Sequence, residues 1–348
     1  MIILRIILIP VSIIYSSIIF LRNKLYDAGI FRSVKVSIPV ISIGNISTGG
    51  TGKTPLTLLT ARHFLEKNLR VGIVSRGYKR KSDEVEIVFD GIKINKDLNK
   101  TGDELLMMAN ELSEEYKDRV FIAAGADRVK VSELIINKFG TDLIILDDGF
   151  QHRKICRNSD IVILDAADIS KNKFSNLFTL PSGNLRESMS GLRRADIIIQ
   201  NNKAGDADLP AHFRNPEKNI FRIRYKTEYI MDVKNSILNT QETKDINAVV
   251  FSGIANDDSF LKLISDESIK IKSRIKFSDH YEYKNKDIEF LKSRYTEGCV
   301  YITTEKDFVK IKEFTEFVST HRVYYLKMKI DFEENAGLFF KILEDNIK

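Results

Sequence analysis

The stretch "NISTGGTGKTP", residues 45–55, sets glycines, a lysine and a threonine in the order that phosphate chemistry uses. A phosphate-binding loop reads G-x-x-x-x-G-K-[ST]. Gly52, Lys53 and Thr54 fit its end, while Ser47 stands where its first glycine belongs. Gly49, Gly50 and Gly52 are expected to supply positive-φ positions and a close backbone approach to an anion. Lys53 would reach the β- and γ-phosphates of a nucleoside triphosphate, and Thr54 would hold Mg²⁺. Ser47 at the start of the turn costs little. Such a loop needs a further carboxylate at the end of a neighbouring strand. "DLIILDDGFQHR", residues 142–153, supplies Asp147 and Asp148 directly after an apolar run. These stretches read as an ATP- or GTP-using enzyme.

Other polar residues also fall at strand ends. "SRGYKRK", residues 75–81, places Arg76, Lys79, Arg80 and Lys81 on one loop, either as solvated charge or as a clamp for a substrate phosphate. Asp103 and Glu104 open a helix, where carboxylates are ordinary partners of the helix dipole. Arg128, Arg186 and Glu187 are ambiguous by themselves. Of the five histidines, His152 and His280 sit in polar strand-end loops.

The elements that must position these groups alternate along the chain. Strands are expected at 39–44, 70–75, 119–124, 142–147, 160–165 and 195–200, with helices at 53–66, 103–116 and 127–139. Short apolar strands separated by helices imply a parallel sheet covered on both faces. A polar, proline-broken linker follows, with strand-like runs "IFRIRYK" and "DVKNSILN". A second alternating set begins near residue 247 and closes on a helix with Leu338, Phe339, Ile342 and Leu343 on one face. The expected organisation is an N-terminal anchoring helix (1–32), a P-loop core (33–205), a linker with short strands (206–246) and a second, smaller α/β lobe (247–348). Ligands in such sheets bind at the carboxyl ends of strands. The motifs are therefore expected to meet in a cleft between the lobes.

Composition narrows the partners. A chain of 348 residues suggests more than one domain, and 43% hydrophobic with 29% charged residues is a globular balance. A net charge of +6 suits anionic lipid or phosphorylated substrates without demanding nucleic acid, and none is expected. Cys156 and Cys299 form no CxxC, which argues against a cysteine metal site or a disulfide framework and favours a reducing, cytosol-facing location. Residues 6–21 carry no charge. That run falls short of the roughly 20 residues that span a bilayer comfortably. Arg22, Lys24, Arg32 and Lys35 follow it, as on a cytoplasmic flank beside anionic lipid. A membrane anchor, spanning or half-inserted, is the expectation, ahead of a buried helix or a cleaved signal.

Taken together, "GNISTGGTGKTP", "SRGYKRKS", "GDE", "GADR", "DDGFQHR", "LPSGNLRE", "RAD", "FSGIAN", "FSDHY" and "TTEKD" resemble, in order and over nearly the whole chain, the tetraacyldisaccharide 4'-kinases of lipid A biosynthesis. A residue other than glycine at Ser47 also looks like that family. The resemblance implies a P-loop NTPase-type α/β fold and ATP- and Mg²⁺-dependent phosphorylation of the 4'-hydroxyl of a tetraacyldisaccharide 1-phosphate, giving lipid IVA. It implies action at the cytoplasmic face of a Gram-negative inner membrane, and a monomer is expected. On the same resemblance, Thr48, Gly49, Gly50, Thr51, Gly52, Lys53, Thr54 and Pro55 hold the nucleotide, with Lys53 also catalytic. Asp147 and Asp148 form the Walker B pair, with Thr54 and Glu104 also near Mg²⁺. Asp103 looks like the catalytic base, paired across the cleft with His280, which would orient it by a hydrogen bond and, as a charged imidazolium, hold it ionised. Arg76, Tyr78, Arg128, Gln151, His152 and Arg186 look like contacts to the disaccharide or its 1-phosphate. The chain departs from the family at Ser182 and Asn184, where Ala and Pro are frequent, and at Asn201 and Asn202, where a Thr-Lys pair is more usual. The rival reading is a membrane-associated P-loop ATPase of the partitioning and positioning type. Those proteins carry a lysine before the Gly-Gly pair, where this chain has Thr48.

Overall fold

The computed structural model describes residues 2–77, 80–81, 84–171, 175–202, 209, 218–234, 236–238, 246–254 and 257–348. Tyr78 and most of the expected linker lie outside the described residues. The chain divides into two compact units, residues 1–224 with 332–348, and residues 225–331.

The first unit is built on β1 (Val40–Gly44), β2 (Val71–Ser75), β3 (Glu86–Phe89), β4 (Val120–Ala124), β5 (Leu143–Asp147), β6 (Ser159–Asp165) and β7 (Ile197–Asn201), in the order β7-β6-β1-β5-β2-β4-β3. Every residue of β1, β2, β4, β5, β6 and β7 is buried, which is why these strands read as apolar runs rather than as alternation. The sheet is mixed rather than wholly parallel, because β3 pairs antiparallel with β4 at the edge. Only Val88 and Phe89 of that short strand are buried, so its sequence gives little strand signal. Between β1 and β5 the register sets Ile43 opposite Asp147. The loop after β1 and the aspartates ending β5 therefore emerge side by side.

Helices α1 (Ile2–Ile7) and α2 (Ile9–Asp27) precede the sheet, followed by α3 (Lys53–Glu66), α4 (Leu98–Thr101), α5 (Asp103–Leu112) and α6 (Arg128–Phe139). Helix α3 begins behind Gly52, whose φ of 98° is left-handed backbone that glycine adopts without strain. No side chain caps it, so its first amides are left to a ligand. Gly49 is also left-handed, but Gly50 is not, contrary to the expectation that all three glycines serve this way. Asp127 caps α6 by accepting from the Val129 amide at 3.2 Å. The final helix (Ala336–Ile347) buries Phe339 and Leu343, with Leu338 left exposed. His63 on α3 stacks on Phe340 with ring centroids 4.0 Å apart and lies 2.8 Å from Glu344, so that histidine has a packing role.

The hydrophobic N-terminal run is not one helix. Pro10 stands in the first turn of α2, where a missing amide does no harm, and the chain breaks at Leu8. Among the described residues no helix is long and apolar enough to cross a membrane.

The second unit orders its parallel strands β10-β9-β11-β12, with β9 at Asn247–Ser252, β10 at Lys270–Lys276, β11 at Cys299–Thr304 and β12 at Val323–Phe332. Strand β10 alternates exposed lysines and Arg274 with half-buried or buried residues, as suits an edge. Strand β8 (Asn219–Asp232) leads into this unit, and within the run "DVKNSILN" the described Ile237 makes an isolated antiparallel bridge to Met231. The Asp232 carboxylate accepts from the amides of Lys234 and Ser236, each at 2.8 Å, and turns the chain back so that Leu238 donates to Ile230.

Candidate active site

The loop after β1 is fixed by polar side chains from several elements. Asn45 Nδ2 donates to Thr51 Oγ1 at 2.8 Å, and Asn201, ending β7, donates to the Thr51 carbonyl at 2.7 Å. The Thr48 amide donates to the Asn184 carbonyl at 2.8 Å, and Ser47 bridges to Leu185. Ser47 thus sits in an extended contact where a glycine's freedom is not required. Gln151 donates from Nε2 to the Asn45 carbonyl at 2.7 Å and to Glu187 at 2.9 Å. Glu187 is buried and also accepts from Arg194 at 2.8 Å and Asn23 at 3.2 Å. These bonds preset the loop, and the start of α3 aims its free amides into it.

Asp147 and Asp148 occupy different electrostatic surroundings. Asp147 is buried and accepts from Thr57 Oγ1 and Ser75 Oγ, each at 3.2 Å. Burial, then the neighbouring Glu104 and Asp148, push its carboxyl up to about 7. Asp148 has a φ of 54°, a left-handed conformation that Asp tolerates better than most residues. Burial would raise its carboxyl, but Lys53, Arg186 and Arg128 outweigh that and hold it below its ordinary value. Arg186 Nη1 donates to both Asp148 oxygens at 2.8 Å, and Lys53 Nζ lies 3.7 Å from Oδ1. Asp103 opens α5 and accepts the Glu104 amide at 3.0 Å.

Hydroxyl and carboxylate oxygens suit a hard cation, and the lack of countercharge at Asp147 is what such a cation would relieve. Among the described residues no group of three or more His, Cys, Asp and Glu is preassembled around a metal. Mg²⁺ held by one or two carboxylates together with phosphate oxygens needs none.

The basic groups gather nearby. Arg128 is buried, its Nη1 donates to the Ala126 carbonyl at 2.9 Å, and its Nε has no protein partner. Burial, with Arg76 adding repulsion, lowers its guanidinium to about 10, which leaves it charged at neutral pH. His152 Nε2 is buried and without a protein partner, and burial followed by the Arg128 charge lowers the ring to about 4, so it is neutral. Orphaned donors and acceptors at buried positions are sites where a ligand gains most. Of the other expected substrate contacts, Arg76 is exposed, while Gln151 and Arg186 are engaged within the protein.

In the second unit, His280 follows β10 with a φ of 59°, and its amide donates to the Gly253 carbonyl at 3.0 Å. The Gly253 amide donates to Asp307 Oδ2 at 2.8 Å, and Thr304 Oγ1 donates to the same oxygen at 2.7 Å. A side chain at Gly253 would meet Asp307 Oδ1 at 2.9 Å. Gly253, His280, Thr304 and Asp307, one or two from each of the stretches "FSGIAN", "FSDHY" and "TTEKD", thus form one hydrogen-bonded cluster that holds His280.

The family model for tetraacyldisaccharide-1-P 4'-kinase matches residues 4–348. The chain belongs to this family. A tetraacyldisaccharide 4'-kinase of Chlorobium phaeobacteroides is 34% identical over 351 residues, 97% of this chain and 96% of the relative. That of Aquifex aeolicus is 34% identical over 335 residues, covering 96% and 97%. A crystal structure titled as an "apo" form of LpxK from Aquifex aeolicus in complex with ATP superposes with a TM-score of 0.79 at 32% identity, covering 99% of this chain and all of that one. Membership of the 4'-kinase family sets aside the partitioning ATPase.

Within the 4'-kinase pattern, the departures now have local explanations. Ser182 donates its amide to Ser12 Oγ at 2.8 Å and its hydroxyl to the Arg5 carbonyl at 2.7 Å, while Asn184 Oδ1 accepts from Arg5 at 3.3 Å. Both residues fasten the N-terminal helices to the loop that also braces Thr48. Asn201 holds the phosphate loop itself. Asn45, Ser75 and Thr57 carry no sequence signal of their own, and Glu187 is ambiguous by itself. The signal available was position alone, since Ser75 and Asn201 end strands that flank the loop.

Proposed function

We propose that this chain transfers the γ-phosphoryl group of ATP to the 4'-hydroxyl of a tetraacyldisaccharide 1-phosphate, giving lipid IVA in lipid A biosynthesis. The observation that carries the reading is the register of Ile43 against Asp147, which sets the loop bearing Gly52, Lys53 and Thr54 beside the strand that ends in paired aspartates, in a chain that matches the family from residue 4 to 348. In the proposed mechanism Lys53 and the α3 amides hold the β- and γ-phosphates. Thr54, Glu104, Asp147 and Asp148 would hold Mg²⁺, which when bound neutralises charge between those phosphates. The 4'-oxygen attacks the γ-phosphorus, the bond to the ADP oxygen breaks, and the hydroxyl proton passes to Asp103, with His280 as a second catalytic residue. The transition state is loose, so positioning counts for more than the strength of the base. Arg76, Arg128 and Arg186, with Tyr78 and His152, take the disaccharide and its 1-phosphate. One copy of the chain suffices.

Radiolabelled ATP, Mg²⁺, detergent and a tetraacyldisaccharide 1-phosphate test this directly. Label is expected on the lipid 4'-position. ATP hydrolysis with no lipid-linked label overturns the assignment.

The substrate's acyl chains favour a site at the cytoplasmic face of the inner membrane, and α1 and α2 support a half-inserted anchor. Their polar residues face the protein: Tyr15 donates to the Arg186 carbonyl at 3.0 Å and Arg22 to the Gln151 carbonyl at 2.6 Å. Their apolar residues Ile3, Ile7, Ile14 and Ile18 are exposed, each by more than 60%. This inverts the usual orientation of a surface helix. Changing those four isoleucines to Asn should weaken sedimentation with anionic phospholipid vesicles by ~10²-fold or more, at ~1 kcal/mol or more of apolar transfer per side chain. The melting temperature should stay within a few degrees. Unchanged sedimentation would show that another surface holds the membrane.

A further inference from the structure

We propose that Lys306 is a positioning residue that sets the protonation of His280, making its ring a neutral imidazole with the proton on Nδ1. The inference rests on the reading of His280 as part of the phosphotransfer site, and it concerns a residue to which that reading gives no role. Lys306 Nζ lies 3.0 Å from His280 Nε2. An ammonium carries only donors, so at this distance the ring nitrogen must present its lone pair. A ring that accepts at Nε2 carries its proton on Nδ1, and a second proton would have to enter against the ammonium. His280 then offers a single directed N–H from Nδ1. A neutral ring would orient a carboxylate by a hydrogen bond rather than by its own charge.

The surroundings support this arrangement. Asp279 Oδ2 is 3.8 Å from His280 Nε2 and Asp279 Oδ1 is 3.9 Å from Lys306 Nζ. Neither distance is a hydrogen bond. Asp279 thus supplies a negative charge that keeps the ammonium in place without taking the ring nitrogen from it. Lys306 stands in the first turn of the helix Glu305–Ile311. The start of that helix is fixed by Thr304 Oγ1, which accepts the Asp307 amide at 3.1 Å, and Asp307 in turn holds Gly253, on which the His280 backbone hangs. One cluster therefore fixes both the ring and the cation beside it. The other charges nearby in this unit are Asp307 itself and Lys310, whose Nζ donates to the Tyr281 carbonyl at 3.2 Å.

The test uses the full-length protein. Nitrogen-15 imidazole spectra, with the His280 signal assigned from His280→Ala, should show the Nδ1–H tautomer at neutral pH. In Lys306→Met the signal should move toward the Nε2–H form. The acid limb of the kcat/KM profile should move up, because an adjacent like charge disfavours protonation of the ring. Lys306→Arg keeps the cation and should restore both readouts in part. An Nε2–H ring in the wild type, or spectra and pH profile unchanged in Lys306→Met, overturns the proposal. His280→Ala turning over at the wild-type rate instead overturns the catalytic reading of His280, while the spectra still decide what Lys306 does to the ring.

Discussion

Asp103→Asn will lower kcat for lipid phosphorylation by ~10²-fold or more, the range for a positioned acid–base group. The change is nearly isosteric. The substituted side chain keeps an amide oxygen that can still accept from the Glu104 amide, as Asp103 does at 3.0 Å, so the first turn of α5 should survive. What is lost is the ability to take the 4'-hydroxyl proton. Asp103 also has an ordinary structural explanation, because a carboxylate at the start of a helix favours the dipole. That role is worth only ~0.3–1 kcal/mol and acts on stability rather than turnover. The measurements therefore separate the explanations. Loss of kcat, with KM for ATP within about threefold and melting within a few degrees, is the expected result, since positioned groups act on the chemical step. Turnover near wild type with a lower melting temperature would reduce Asp103 to a helix-dipole partner.

The path from sequence to site was uneven, and the reasons are physical. Helix α3 could be placed from Lys53 to Glu66 because Gly52 must turn left-handed immediately before it. The strands carrying Ser75, Asp147 and Asn201 could be placed because burial on both faces makes the run itself apolar. Strand β3 could not, because a four-residue edge strand covered on part of its length leaves no period. The same contrast runs through the site. Gly52, Lys53 and the aspartates have a spacing that chemistry dictates. The residues that hold them in place have none: Asn45 meets Thr51, Gln151 meets Glu187, and Arg186 meets Asp148, each pair brought together by the fold. Such partners show no local pattern, since a buried carboxylate such as Glu187 reads in sequence like any surface acid. Lys306 is the extreme case, 26 residues along the chain from His280 and visible only as the lysine within "TTEKD".

Asp147→Asn is expected to weaken apparent Mg²⁺ affinity at pH above 7 by ~10²-fold while making the ligand-free protein more stable, and the opposite signs are the point of the test. Burial with Glu104 and Asp148 close by pushes the Asp147 carboxyl up to about 7, from an ordinary 3.8 in the unfolded chain. Between those values the folded state binds the extra proton, so this group's contribution to stability falls as pH rises from about 4 to 7. Above 7 the protein holds a buried negative charge with too little to balance it. Asn removes that charge and keeps an oxygen for the Thr57 and Ser75 hydroxyls that now donate to Asp147. Without ligands the variant should therefore melt on the order of 5 °C higher above neutral pH, an advantage that shrinks toward pH 4. Mg²⁺ binding reads the same titration from the other side. Below 7 the wild type must release a proton to take the cation, so its apparent affinity should fall about tenfold per pH unit, whereas the variant's should lose that steepness. Calorimetric Mg²⁺ titrations in the presence of a non-hydrolysable ATP analogue, across pH 5.5 to 8, measure both slopes. A variant that melts lower than wild type at alkaline pH, or equal Mg²⁺ slopes for the two proteins, would show that Asp147 is a strand-end structural residue rather than the buried charge that awaits a cation.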